Sequence, residues 1–424
     1  MRRGLWRDPD FLKLWIGQAV SQVGSWITLV GLPLTAVKIL GASALQMGIL
    51  SGVSAAAVLL FGLFAGAWAD RLRRRPILIL ADLGRAGVLG TVPLAFILHR
   101  LTLGHLYLVA AASAILTVFF DVSYQAYLPS LVDRENLIEG NSKLALSESM
   151  AGVVGPGLTA IMVQAVTAPI AILFDAVSFL GSAFSVGLIR KPEPRPERRA
   201  APHIGREILE GLQVSWREPV LRTLVLRTAT SSLFLGFGGS LYFLFAIREL
   251  GLSAALLSAV IAVGGAAGLF GTLVAERLAH RYGLGPTLIG AAALIGIASL
   301  LPPLARGPAP VCAAILSVAQ LCDVAWPVYS VNELSLRQAI APGRLLGRVN
   351  AAMHLVFRGV LPVGALVGGL LAESIGVRQA LLVGASGFLL STLLLVFSPV
   401  RRLRALPPRL SENSTGGLQS SMRI

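Results

Sequence analysis

Gly66-Ala67-Trp68-Ala69-Asp70-Arg71-Leu72-Arg73-Arg74-Arg75-Pro76 joins two long apolar stretches and places one acid and four arginines between positions 70 and 75. An ionised side chain at the centre of a bilayer costs about 3 kcal/mol, so these charges mark a short polar connection between two membrane-spanning segments. The stretch therefore predicts a hairpin of two transmembrane helices at a membrane face.

The composition of the whole chain indicates a membrane protein. Of 424 residues, 55% are hydrophobic and 13% charged, whereas about a quarter of a typical soluble domain is charged. The net charge is +15, but the basic residues lie in alternate loops and not in the patch that nucleic-acid binding requires. We therefore expect a lipid bilayer as partner and no nucleic acid.

The few cysteines and histidines lack the spacing of a metal or catalytic site. Cys312 and Cys322 lie in one apolar stretch, and the five histidines are scattered along the chain. No G-x-x-x-x-G-K-[ST] phosphate loop occurs, so ATP is not expected to drive a reaction directly. We expect no metal, no cofactor and no enzyme activity.

Twelve stretches are long and apolar enough to cross a bilayer, which needs about 20 residues. The region 190–221 between the sixth and the seventh is proline-rich and charged, with an amphipathic segment around Ile204 to Trp216, and predicts a linker. The fold class is thus an all-α membrane protein of twelve transmembrane helices in two six-helix bundles. The domains are 1–189, the linker 190–221, 222–398 and a tail 399–424. The predicted spans are 11–37, 45–69, 76–98, 104–127, 143–166, 169–189, 222–248, 253–279, 286–305, 308–331, 347–372 and 376–398.

The distribution of Lys and Arg predicts the orientation of the chain. Both termini, the linker and alternate loops carry most of these residues, and the positive-inside rule then makes both termini cytoplasmic. The opposite loops carry only Lys38, Arg100, Arg248, Arg306 and Arg378.

The two halves repeat each other at an offset of about 206 residues. Ala69-Asp70-Arg71-Leu72 recurs as Ala275-Glu276-Arg277-Leu278, and Asp121-Val122 recurs as Asp323-Val324. Pro156 and Pro362 interrupt the fifth and eleventh spans in the same way. Such matches favour parallel repeats related by an axis along the membrane normal.

The loop motif resembles G-x-x-x-D-R-x-x-R-[RK], found between helices 2 and 3 of the major facilitator superfamily. Gly66, Asp70, Arg71, Arg74 and Arg75 occupy that pattern. Further stretches are similar to the branch containing enterobactin-exporter-like and macrolide-efflux-like proteins. They include Phe11-Leu-Lys-Leu-Trp15, Ala81-Asp82-Leu83, Phe174-Asp175-Ala176 and Leu346-Gly347-Arg348-Val349-Asn350-Ala351.

The resemblance implies a conformational latch at the cytoplasmic face. In the family, the motif acid sits by the start of helix 11, here near Gly347, and the motif arginine pairs with an acid on helix 4. Asp121 is then expected to meet Arg71 or Arg75, and Asp323 to meet Arg277 or Arg281. These contacts would form only with the cytoplasmic side closed. The latch residues are Gly66, Asp70, Arg71, Arg75, Asp121, Glu276, Arg277, Arg281 and Asp323.

Ionisable residues within the spans are candidates for function. Arg358 lies near the middle of the eleventh span, with His354 one turn earlier, and is either a contact for an anionic substrate or a brace between helices. Asp82 and Arg85, one turn apart, are expected to pair with each other. Glu148, Asp175 and His354 are the candidates for carrying a proton.

Polar and aromatic stripes suggest a substrate pocket. Gln18, Ser21, Gln22, Ser25 and Thr28 fall on one face of the first helix. In the seventh span, Phe234 and Phe237 belong to an aromatic series. Such stripes also occur where helices pack together or face lipid. The predicted substrate-binding residues are Gln18, Gln22, Ser25, Phe234, Phe237 and Arg358.

These features predict a monomeric secondary transporter that exports small amphipathic molecules, drug-like or siderophore-like, across the inner membrane in exchange for protons. The antiporter signature G-P-x-x-G-G of the superfamily is only partly present: Gly155, Pro156 and Gly157 remain, but Thr159-Ala160 replace the final glycines. The alternatives are uptake or facilitated diffusion of a metabolite by the same fold, or a receptor that no longer transports.

Overall fold

The structure is a computed structural model. It describes residues 5–69, 72–132, 136–193, 204–341 and 345–405. At residues 63–69, 126, 138, 204–208 and 240 it describes the backbone but not the side chains. The described residues form helices and no strand, and twelve of the helical spans are long and apolar enough to cross a membrane. The predicted helical fold and number of spans are confirmed.

The first six spans form one bundle, each from a single helix. Asp8 begins the first by accepting hydrogen bonds from the backbone nitrogens of Asp10 (2.9 Å) and Phe11 (3.1 Å), which have no partner inside the helix. The helices are α1 (Pro9–Lys38), α2 (Ala44–Ala69), α3 (Arg74–Ile97), α4 (Leu103–Leu131), α5 (Leu137–Val166) and α6 (Ala168–Gly187).

A short helix, α7 (Ile204–Arg217), follows the proline-rich segment, whose residues 194–203 lie outside the described ranges. It covers the predicted amphipathic segment. Glu210 of this helix forms an ion pair with Arg348, and Gly211 packs on the backbone of Arg348. The linker helix is therefore fixed to the start of the eleventh span.

The second bundle contains spans assembled from shorter pieces. Pro302 and Pro303 interrupt the ninth span, because proline has no backbone N–H to continue the helix. A 3₁₀ segment, Cys322–Val324, divides the tenth. The helices are α8 (Pro219–Leu244, continued by Phe245–Glu249), α9 (Ala254–Tyr282), α10 (Leu284–Ser299), α11 (Leu301–Leu304), α12 (Ala309–Leu321), α13 (Ala325–Ile340), α14 (Leu346–Ile375), α15 (Val377–Leu390) and α16 (Leu393–Val396).

Three helix ends extend four or more residues beyond the predicted spans. The tenth span was expected to end at residue 331, but α13 continues to Ile340. The reason is that its polar residues are satisfied inside the bundle: Asn332 Nδ2 donates to the carbonyls of Ala275 (3.2 Å) and Val328 (2.8 Å), and Glu333 pairs with Arg337 (3.3 Å). Likewise α4 runs on to Leu131, and α5 begins at Leu137 instead of residue 143.

The two bundles touch mainly along two helix pairs, α2 with α14 and α5 with α9, and α8 also contacts α1 and α2. Glycines permit the close approach, since a Cβ added at Gly48 of α2 would lie 2.6 Å from the carbonyl oxygen of Ala365 in α14. A Cβ at Gly265 of α9 would likewise overlap the carbonyl of Gly152 in α5. The even number of spans places Leu5 and Ala405 on one side, which we call the terminal face; the other is the opposite face.

Candidate functional site

A central cavity of about 710 Å³ lies between the two bundles. Helices α1, α2, α3, α4 and α6 contribute one wall, and α8 and α14 contribute the other. The lining is mostly apolar, with a set of hydroxyl groups and a few charged groups, as in pockets for organic ligands. The hydroxyl-bearing residues are Ser25, Thr28, Ser51, Ser54, Ser113 and Thr117.

A buried charge cluster borders this cavity on the side of the first bundle. Arg85 pairs with Asp82, as expected from their spacing, and its guanidinium lies between the rings of Phe120 (4.3 Å) and Phe179 (4.0 Å). Asp175 also lines the cavity, interacts electrostatically with Arg85 and accepts a hydrogen bond from Thr28. From the sequence, Arg85 was predicted only to pair with Asp82. Its position in the wall of the central cavity was not predicted.

Arg358 projects into the central cavity from the second bundle. It also lines a smaller space of about 320 Å³, the vestibule, together with Asp121 and His354. Asp121 interacts electrostatically with Arg358 and Arg85, and with Glu148 on α5. The structure thus brings together three charges that the sequence had assigned to different roles: Asp121 to the latch, Arg358 to substrate, and Glu148 to protons.

Of the polar stripe of α1, two residues line the central cavity, and the predicted binding residues Gln18 and Gln22 are not among its lining. Ser25 and Thr28 line the central cavity. Gln18 and Gln22 each have a buried side-chain oxygen without a hydrogen-bond partner among the described residues. Buried acceptors without a partner are costly, so these two oxygens are sites where a ligand or a water gains a hydrogen bond.

The two phenylalanines predicted for the substrate pocket lie elsewhere. Phe234 lines a separate cavity of about 390 Å³ inside the second bundle, which we call the lateral cavity. Phe237 is buried and packs against the backbones of Gly368 in α14 and Gly384 in α15. Neither residue lines the central cavity, because the face that α8 buries is set by glycines on α14 and α15.

The structure describes only part of the loop motif of the first half. Asp70 and Arg71 lie outside the described residues, and Gly66 is in α2 without described surroundings. Arg75 donates to the carbonyl oxygens of Val186 (3.2 Å) and Gly187 (2.6 Å) at the end of α6. Its predicted pairing with Asp121 is not formed, since Asp121 precedes the end of α4 at Leu131 by ten residues, or about 15 Å.

The equivalent residues of the second half also differ from expectation. Glu276 is exposed and 3.6 Å from His280, Arg277 is exposed, and Arg281 lies over the ring of Tyr282. Asp323 instead lines the lateral cavity. The predicted pairing of Asp323 with Arg277 or Arg281 is wrong, because α13 continues 17 residues beyond Asp323, about 25 Å, before the terminal face.

Hydrogen bonds between the bundles in the described ranges cluster at the opposite face. Glu373 of α14 accepts from Ser43 Oγ (2.5 Å) and from the backbone nitrogen of Leu45 (3.2 Å) at the start of α2. Arg248 donates to the carbonyl of Val37 (3.4 Å). These contacts, with the tight approach at Gly48, close the central cavity toward the opposite face.

Known proteins are similar in sequence to this chain over nearly its whole length. The chain is 26% identical over 401 residues to the multidrug efflux pump Tap of Mycolicibacterium fortuitum, covering 90% of this chain and 93% of that protein. It is 26% identical over 433 residues to the enterobactin exporter EntS of Escherichia coli O127:H6, covering 96% of each.

Solved structures give the same fold. A bacterial homologue of the iron transporter ferroportin in its inward-facing state matches with a TM-score of 0.73 at 18% identity, over 93% of this chain and 99% of that one. Its outward-facing state gives 0.56 at 19% identity, over 91% and 98%.

The profile of the Major Facilitator Superfamily matches residues 14–362. This match agrees with the twelve helical spans, the paired bundles and the cavity between them. The chain belongs to the Major Facilitator Superfamily and is a multi-pass membrane transporter, not an enzyme.

Proposed function

We propose that this transporter is a secondary active exporter of small amphipathic molecules that works by alternating access and exchanges its substrate for protons. In this proposal the protein resides in the inner membrane as a monomer with both termini cytoplasmic, as the basic loops favour. The relatives that pump drugs and export enterobactin support the direction of transport, although at 26% identity they do not identify the cargo.

The central cavity carries the proposal. Contacts at the opposite face close it on that side, so the state described here is inward-facing if the termini are cytoplasmic. The higher TM-score against the inward-facing ferroportin homologue supports this assignment. Substrate would enter from the cytoplasm and leave when the bundles rock about the cavity.

The lining suits an amphipathic ligand. The hydroxyl groups of the lining offer hydrogen bonds, while the apolar wall takes the hydrophobic part of the ligand. Gln18 and Gln22, which precede the lining residues Ser25 and Thr28 on α1, are proposed as further hydrogen-bond partners through their unpaired oxygens. Arg358 has no hydrogen bond or ion pair of its own among the described residues, so it is the group that would bind an anionic substituent.

Asp175 is the first candidate for proton coupling. It faces the cavity, it is buried, and its charge interacts with that of Arg85, so gaining a proton changes the electrostatics at the substrate site. His354 lines the vestibule, and Glu148 interacts electrostatically with Asp121 of the vestibule. Both remain candidates.

The loop motifs would act in the other conformation. Gly66, Asp70, Arg71 and Arg75, with Glu276, Arg277 and Arg281, belong to the sequence motifs that would approach each other when the terminal face closes. Their latch role is therefore a proposal for the outward-facing state.

The test is flux in everted membrane vesicles from cells that overproduce the protein, with panels of dyes, antibiotics and siderophores as probes. We expect at least one probe to accumulate in the vesicles when their interior is acid, and nigericin to abolish that accumulation by collapsing the pH gradient. Export that ignores the gradient would remove the proton coupling. Accumulation only in right-side-out vesicles would favour uptake, and binding without flux would favour a receptor.

A further inference from the structure

The lateral cavity lies wholly within the second bundle, between α8, α9, α10, α12 and α15. It measures about 390 Å³, a volume within the range of small-molecule sites. Aromatic side chains form much of its wall: Phe234, Tyr242, Phe243, Trp326 and Phe388.

Among the described residues of this lining, Asp323 is the only charged one. It projects from the 3₁₀ segment between α12 and α13 and lies beside Gly264, where an added Cβ would come 2.7 Å from the carboxylate oxygen Oδ2. Among the described residues, no hydrogen bond or ion pair reaches this carboxylate. Gly264 thus leaves room for an acid in an apolar bundle without supplying a counter-charge.

The buried acids of the first bundle, unlike Asp323, have an arginine as counter-charge. Asp82 pairs with Arg85, and Asp121 and Asp175 interact electrostatically with the same arginine. In the second bundle, Arg227 approaches the lateral cavity at Phe388, 5.6 Å from the ring centroid. Its guanidinium, however, lies over Tyr329 at 3.8 Å and its charge interacts with Glu333. The Asp323 carboxylate therefore makes the electrostatic potential inside the lateral cavity negative.

A carboxylate without a counter-charge, in a cavity lined by aromatic side chains, favours one class of ligand. A cation with a delocalised or shielded charge gains Coulomb attraction from Asp323 and cation–π attraction from the rings. It also loses little hydration on entering, whereas an anion of the same shape is repelled.

The lateral cavity meets the central cavity at a break in α8. Leu235 and Gly239 line both spaces, and Gly239 has non-helical torsions of φ −5° and ψ −121°. A Cβ there would approach Ser51 of α2 at 3.0 Å, so this wall is also a contact between the bundles.

We propose that the lateral cavity is a second binding site, distinct from the central cavity, for an organic monocation with aromatic substituents, held by Asp323 and by the faces of Tyr242 and Trp326. The proposal concerns binding and does not rest on the direction or coupling of transport.

The test is equilibrium binding of radiolabelled tetraphenylphosphonium to the purified full-length protein in detergent. Tetraphenylborate, nearly the same shape with the opposite charge, is the control ligand and should bind at least about tenfold more weakly. Asp323→Asn should weaken tetraphenylphosphonium binding at least about tenfold, since it removes a buried charge partner. The matched surface control, Glu249→Gln, should bind within about twofold of the wild type. Asp175→Asn, at the central cavity, distinguishes the two sites and should not reproduce the loss caused by Asp323→Asn.

A second variant guards against misfolding of Asp323→Asn. Ile261→Trp leaves the acid in place but fills the lateral cavity that Ile261 lines, and should also abolish binding. Each variant is checked for a monodisperse elution profile. Unchanged affinity in both Asp323→Asn and Ile261→Trp, or a loss caused by Asp175→Asn instead, would place the cation in the central cavity and overturn the proposal.

Discussion

Arg85 is buried within the first bundle and yet borders the central cavity. Its positive charge is stabilised by the ion pair with Asp82, by the rings of Phe120 and Phe179, and by electrostatic attraction to Asp175. A buried ion pair is stable only while both partners remain, because either charge alone is strongly penalised in an apolar environment. The same residue therefore supports the packing of α3 and sets the electrostatics of the site.

Arg85→Met should destabilise the protein by about 3 kcal/mol, since Asp82 would stay buried without its partner. Adding Asp82→Asn to this variant should restore much of the loss, because no uncompensated charge remains. The measurement is unfolding in mixed detergent micelles, with the exposed Arg306→Met as control. A double variant as unstable as the sum of the two single variants would contradict the pairing.

Asp175→Asn should abolish transport driven by a pH gradient while leaving substrate counterflow within about twofold of the wild type. Counterflow needs only the rocking of the loaded carrier, whereas gradient-driven transport needs a group that changes its protonation state. Both fluxes can be measured in the same proteoliposomes. If Glu148→Gln uncouples the two fluxes and Asp175→Asn does not, the proton is carried by Glu148 on α5.

Arg358→Gln should weaken binding of an acidic ligand about tenfold more than binding of its methyl ester, because only the acid loses a charge-assisted hydrogen bond. The experiment compares the two affinities of each protein for a carboxylic acid probe and its ester. Equal losses for both, together with a lower melting temperature, would identify Arg358 as a brace between helices.

At the scale of the helix, packing residues decide where charges come to lie. The sequence predicted the number and order of the spans, because each apolar stretch exceeds the thickness of the hydrocarbon. It placed Asp323 too near the terminal face, since Asn332, Glu333 and Arg337 read as loop residues when their partners are unknown. Those partners lie on α9 and within α13 itself, and hydropathy along the chain does not contain that information.

Gly265→Ala should destabilise the protein by about 1–3 kcal/mol and slow transport, because the added methyl group would overlap the carbonyl of Gly152 across the α5–α9 contact. Gly268→Ala is the matched control. It lies nearly one turn later on the same helix and has no atom within 4 Å of the added Cβ, so it should behave like the wild type. Similar melting temperatures for the two variants would contradict the close approach of these helices.

At the scale of the whole molecule, the central cavity lies between the two bundles, and the lateral cavity lies inside the second bundle. The repeat in the sequence suggested equal roles for Asp121 and Asp323, but the structure separates them: one faces Arg358 across the vestibule, the other faces aromatic rings. The site could be predicted where spacing along one helix determines a contact, as for Asp82 and Arg85. It could not be predicted where the contact depends on how α8 rotates against the glycines of α14 and α15.

The alternating-access account is tested most directly by electron spin resonance distances at both faces. The native cysteines, Cys312 and Cys322, are first replaced by alanine and serine. Spin labels are then introduced in two separate pairs at exposed positions, Asn141 with Gln338 at the terminal face and Arg100 with Arg306 at the opposite face. We predict that adding a transported probe and lowering the pH shortens the first distance and lengthens the second. Distances that stay constant at both faces in protein that transports the probe would contradict the account.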